Sequence, residues 1–165
     1  MQHAPTNDGS AFGNDGLRLE VRPFRLVPAQ REARLAGFAR REEIAWFGFE
    51  GRYAGPAIAE IRLSRLHPGV LGGGGGAALN GGVIAAGFDA AVVLAGLGHF
   101  DADVVVTLEL AVQFLSLART EAPLAFRAGL TRTSRGFGFA QAMLAPAGGG
   151  QPFATASAIV APVRP

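Results

Sequence analysis

Four consecutive features of this 165-residue chain could do chemistry: Asn80, Gly81, Gly82 and, seven residues further on, Asp89. Asp89 is the one charge in an otherwise apolar run, residues 83–98. A carboxylate there loses hydration without an obvious local partner, so a partner, a ligand or a reaction must compensate it. If Asn80 caps a helix, its side-chain oxygen takes an early backbone donor. The amides of Gly81 and Gly82 then open the first turn without helical acceptors. Such a helix start attracts anions and polarised carbonyls. Gly82 and Asp89 share a helix face but stand about 10 Å apart along the axis. One chain cannot easily present both to a single reacting carbon, because a base or donor must come within about 3 Å of the group it acts on. Two antiparallel copies of the helix, side by side, bring Asp89 of one chain to the glycines of the other. The expectation is an active site shared across a subunit interface.

The elements that must position these residues are legible in outline. Residues 1–16 are polar and lack a signal-peptide core; residues 1–27 read as a partly disordered N-terminal tail, in a protein expected to be cytoplasmic, and residues 28–165 as one domain. Pro28 opens a modest helix over residues 29–43, and residues 44–53 and 57–65 read as two strands. A glycine run at residues 72–76 delivers the chain to the helix start. It lacks the Gly-Lys-Ser/Thr ending of a phosphate-binding loop, and the chain contains no Lys at all. After the helix the period changes to two. Val104, Val106, Leu108, Leu110, Val112 and Phe114 share one parity, predicting a long strand with that face dry. Residues 123–133, 137–145 and 152–161 follow as an antiparallel meander joined by short turns. A helix without a polar face must be wrapped, and a curved antiparallel sheet does this economically. The expected class is α+β, a hot-dog fold: a long central helix wrapped by a curved sheet.

Composition narrows the function. Charged residues make up 17% and hydrophobic ones 49%, which suggests surface buried in an oligomer. The formal charge is +2 with no dense basic stripe, which argues against nucleic acid as a partner. Cysteine is absent, removing disulfides and thiolate chemistry. The apolar run is broken by Asp89 and studded with Gly and Ala, a poor membrane span. His67 and His99 have no metal-ligand spacing with acidic partners, so neither a metal nor a cofactor is expected.

Over residues 44–162 the sequence resembles the hot-dog thioesterases, specifically the group that includes the phenylacetate-pathway thioesterase and the human thioesterase superfamily proteins. The family signature is His-Gly-Gly, with Asp nine residues after the His. Here it stands as Asn80-Gly81-Gly82 with Asp89 at that offset. Thr107, followed by Leu108-Glu109-Leu110, stands where the family places a Ser or Thr near the catalytic carboxylate. The resemblance implies an acyl-CoA or aryl-CoA thioester substrate and self-association as a dimer or tetramer. Asp89 would activate water or attack the thioester, the Gly81 amide would polarise its carbonyl, Gly82 would help bind it, and Thr107 would position the water. Arg132, Ser134 and Arg135, at a turn between meander strands, would contact the nucleotide of coenzyme A. Two positions depart from the pattern: Asn80 replaces the His, and Gly74 replaces an Asn found six residues before it. An Asn side chain donates a hydrogen bond but cannot carry a proton. The alternative reading is therefore a non-catalytic acyl-CoA binding or regulatory module.

Overall fold

The computed structural model describes residues 20–72 and 76–164. Among the described residues three α-helices, one 3-10 turn (Pro68–Val70) and six strands occur: α1 (Pro28–Ala39), α2 (Glu42–Phe47), β1 (Phe49–Tyr53), β2 (Ala59–Leu63), α3 (Gly81–Leu97), β3 (Val105–Phe114), β4 (Leu124–Thr133), β5 (Gly138–Pro146) and β6 (Ala154–Pro162). The strands form one antiparallel sheet in the order β1-β2-β4-β5-β6-β3. The sheet wraps α3, from which Phe88, Ala91, Val92, Leu94, Ala95 and Leu97 are almost entirely buried. The expected class and architecture hold: α+β, a central helix held in a curved sheet.

Packing between helix and sheet depends on two close approaches. An ideal Cβ on Gly87 would lie 2.3 Å from the ring of Phe126 on β4, and one on Gly96 would lie 2.8 Å from Val105 on β3. The Gly- and Ala-rich composition of α3 is therefore a fit to the sheet, since interiors close-pack and leave no room for an added methyl. Gly96 lies against the start of β3, while the end of β3 places Phe114 beside Gly81. The strand thus runs antiparallel to the helix along its length.

Three expectations need correction. Residues 44–53 are not one strand. Glu42–Phe47 is a short helix with two acids in its first turn, ended by Gly48 in the left-handed conformation (φ 71°), and only then does β1 begin. Its aromatic residues resemble a strand by composition, but the acidic start and the Gly stop belong to a helix. The segment 20–27, assigned to the tail, is tied down by Arg22 N–H to Leu130 O, Phe24 N–H to Pro56 O and Leu26 N–H to Gly98 O. The rest of the tail, residues 1–19, lies outside the described residues, as does Gly74.

The third correction concerns the strand after the helix. In β3 the pairing with β6 slips between Thr107 and Glu109, leaving Leu108 as an extra, unpaired residue. A bulge of this kind reverses which parity faces the core. Before it Val105 is buried and Val106 is exposed, whereas after it Leu110 and Val112 pack on the core. The even face expected to be dry is therefore wet for Val104, Val106 and Leu108.

Candidate active site

Asn80 caps α3 as its residue type requires. Its backbone is extended, and its side-chain oxygen accepts the Gly82 amide at 2.7 Å. That bond uses the Gly82 donor and leaves the Gly81 amide without an acceptor among the described residues. The approach to the cap is rigid. Asn80 N–H donates to Val70 O at 3.0 Å, Leu79 N–H to Ala118 O at 3.0 Å, and Gly72 N–H to Ala78 O at 2.8 Å. The glycine run is thus clamped at its base, with one wall bridged to the segment before β4. The ring of Phe114 stands 3.6 Å from where a Gly81 Cβ would be and so flanks the helix start.

Asp89 is exposed, not buried as the apolar run suggested. The reason is geometric. Positions 82, 85, 86 and 89 follow helical spacing and form a stripe that neither the sheet nor α1 and α2 cover in the single chain. From Ala90 onward the helix is buried on all sides. Asp89 makes no hydrogen bond or ion pair among the described residues. It stands at a cleft of about 80 Å³, walled by Phe38, Phe47 and Phe49 on one side and by Ala86, Ala90 and Val93 on the other. Gly81 and Asp89 belong to one uninterrupted helix, eight residues and so about 12 Å apart along its axis.

The Thr107 hydroxyl is buried and has no hydrogen-bond partner among the described residues. It shares the inward parity of Val105 and lies two residues beyond the point where β3 meets Gly96 of α3. Sequence parity had put Thr107 on the opposite face from the strand's core residues. A buried donor lacking a partner costs about 1–3 kcal/mol, so the position is one that a water or ligand would satisfy.

The other end of α3 opens on a larger cavity of about 740 Å³. Ser134 and Arg135 line it, as do Arg25 and Arg164. Arg132, two residues earlier on β4, does not. Arg164 donates to Arg135 O at 2.5 Å, and Arg25 and Arg135 form no ion pair among the described residues. The contributions of Arg25 and Arg164 could not be read from the sequence, since they come from opposite ends of the chain. Within the same wall His99 is 3% exposed and neither ring nitrogen has a partner among the described residues. Burial, and secondarily the Arg25 charge, push its pKa down to about 4, so the imidazole is neutral.

One acid lies buried outside both sites. Glu60 on β2 is 1% exposed and accepts Arg52 and Arg62 on one oxygen and Arg127 on the other, each at 2.7–2.8 Å. Burial alone would raise its pKa, but the three guanidinium groups hold it below the usual carboxylate range. Arg62 shares β2 with it, while Arg52 and Arg127 lie on the neighbouring strands β1 and β4, so its role is to tie the sheet together. Among the described residues no group of His, Asp and Glu is placed to hold a metal ion, and no helix is long and apolar enough to cross a membrane.

Comparison with known proteins bears on this arrangement. The sequence model of the thioesterase superfamily matches residues 76–152, a span that holds the cap, α3, Thr107 and the β4–β5 turn. The domain has a hot-dog fold. Among solved structures, this hot-dog domain is similar to a thioesterase family protein from Silicibacter pomeroyi, with TM-score 0.70 and 24% identity over 83% of this chain and 98% of that one. It is similar also to the E. coli PaaI protein from the phenylacetic acid degradation operon, with TM-score 0.70 and 12% identity over 84% and 97% of the two chains. A third is zebrafish thioesterase superfamily member 2, with TM-score 0.66 and 16% identity over 84% and 99%. No curated protein matches in sequence. At these identities the likeness is one of fold, and the hot-dog chemistry of this chain has to be argued from its own residues.

Proposed function

We propose that the protein is an acyl-CoA thioester hydrolase whose active site is completed by a second copy of the chain. The observation that carries this reading is the division of labour along α3. A free peptide donor opens the helix at Gly81, and an unpaired carboxylate stands at Asp89, about 12 Å away and beside an apolar cleft. Two helices lying antiparallel bring each Asp89 to the other chain's Gly81. The surface needed for such pairing is present. β3 is an edge strand, and Val106, Leu108, Phe114, Leu115 and Leu117 on or just beyond it are 39–61% exposed, an apolar patch unusual for a lone soluble chain.

In this mechanism the thioester carbonyl accepts the Gly81 amide of one chain, which stabilises the oxyanion as it forms. Asp89 of the other chain takes a proton from water as the water attacks. The Thr107 hydroxyl, otherwise unsatisfied, holds that water. The tetrahedral intermediate then collapses with cleavage of the C–S bond, the expelled thiolate takes the proton held by Asp89, and coenzyme A thiol and the free acid are released. The nucleotide end lies toward the cavity at the far end of α3, where Arg25, Arg135 and Arg164 offer guanidinium groups suited to phosphate and Ser134 a hydroxyl, while the Asp101 and Asp103 carboxylates in the same lining are paired by Arg34. Arg132, outside that lining, is left with no contact in this arrangement.

A non-catalytic acyl-CoA binding module remains the second reading, because the Asn80 oxygen is committed to capping and the side chain cannot relay a proton. Release of free thiol from a panel of acyl and aryl thioesters separates the two. Binding without release at any concentration removes the hydrolase. A large gain in rate on Asn80→His identifies the site as a weakened hydrolase.

A further inference from the structure

The cleft at Asp89 says which acyl group the site can take, an inference that rests on the thioester reading. Its outer wall is built by α2 and the start of β1, the segment that reads as strand in the sequence. There the rings of Phe47 and Phe49 stack, with centroids 5.0 Å apart and planes 15° from parallel. The wall is backed by packed core: Phe49 meets Phe126 edge-on at 6.1 Å, and Phe126 meets Phe88 at 5.4 Å and fills the space over Gly87. The cleft therefore cannot deepen without repacking four aromatic or glycine positions, and overpacked cores resist that. Its rim is charged. Arg41 and Glu43 line it, with the Arg41 guanidinium 5.5 Å over the Phe38 ring. An apolar chain too long for the cleft would emerge beside these charges and displace their water, an unfavourable exchange.

Size then decides the class of substrate. The cleft holds about 80 Å³, whereas an apolar cavity that accepts benzene measures about 150 Å³. We propose that this cleft receives the acyl group of the thioester and restricts it to a short aliphatic chain of about two to four carbons, excluding aromatic rings and long chains. Phe47, from α2, and Ala86, from α3, both line the cleft, and their side chains set the limit.

The test measures affinity of the full-length protein for S-alkyl-coenzyme A thioethers, which cannot be hydrolysed, alongside thiol release from the matching thioesters. Calorimetry should show the tightest binding for ethyl to butyl and at least about tenfold weaker binding for octyl and benzyl. Phe47→Ala should recover about tenfold for octyl, and Ala86→Leu should weaken butyl against ethyl by a similar factor. The pair of variants guards against misfolding of either one. Affinity that rises through octyl, a preference for benzyl, or two folded variants with the parental profile overturns the acyl assignment. Short-chain preference in binding with no thiol released overturns hydrolysis alone. Failure of the whole series to bind overturns both.

Discussion

Asn80 Oδ1 and the Gly82 amide lie 2.7 Å apart, and this single bond both starts α3 and leaves the Gly81 amide as the one to spare. The cap is worth about 1 kcal/mol, so Asn80→Ala should lower stability by about 0.5–2 kcal/mol in denaturant unfolding, while Asn80→Asp retains the cap and most of the stability. If both variants unfold at the parental midpoint, the cap does not hold the helix start.

Asp89 is exposed and unpaired among the described residues, so removing its charge should be nearly neutral for the fold. Asp89→Asn is expected to move stability by no more than about 0.5 kcal/mol while lowering turnover by about 10²–10⁴-fold. Turnover that survives the substitution takes Asp89 out of the reaction.

Leu108, extruded by the bulge and 56% exposed, belongs to the surface assigned to the second copy. Leu108→Asp should leave the isolated chain folded but drive it to monomer in sedimentation, and turnover should fall with the dimer fraction. A monomer that hydrolyses thioesters at the parental rate contradicts the shared site.

Phe126 over Gly87 gives a purely structural prediction. An added methyl at 2.3 Å must push the ring into Phe49 and Phe88, so Gly87→Ala should cost about 1–3 kcal/mol even though Ala favours helix. An unchanged or raised melting temperature would mean the ring shifts freely.

His99 supplies a pH dependence. Its folded-state pKa of about 4 lies below its ordinary value, so between these limits the unfolded chain binds more protons than the folded one. Stability from this group is therefore complete at neutral pH and declines as pH falls from about 6.5 toward 4. Thermal melts across that window should show the decline, and His99→Phe should flatten it. Glu60 acts lower: its depressed pKa adds stability that is lost only as pH drops through the carboxylate range. A parental slope retained in the His99 variant would assign the decline to other groups.

Much of the fold could be read directly because the local signals were unambiguous. Asn80 ahead of the apolar run is a residue type preferred at helix caps, the featureless apolar run of α3 demands a wrapping sheet, and the turns around Ser134–Gly136 and Gly148–Gly150 separate strands of clear period. These depend on neighbours in sequence, where geometry is fixed by covalent spacing. Aromatic content misled at residues 44–47, because strand and helix propensities of Phe and Trp differ by less than the effect of two acids and a terminal Gly.

What the sequence determined, then, was the helix, its cap, its one acid and the meander that encloses it. Only the tertiary structure decided which way those groups face. The bulge after Thr107 turned its hydroxyl inward, the incomplete cover of α3 left Asp89 in the open beside a small cleft, and chain ends far apart in sequence gathered Arg25, Ser134, Arg135 and Arg164 around one cavity. Each of these depends on the register and curvature of strands paired over long range. A slip of one residue reverses a whole face, and no local pattern records it.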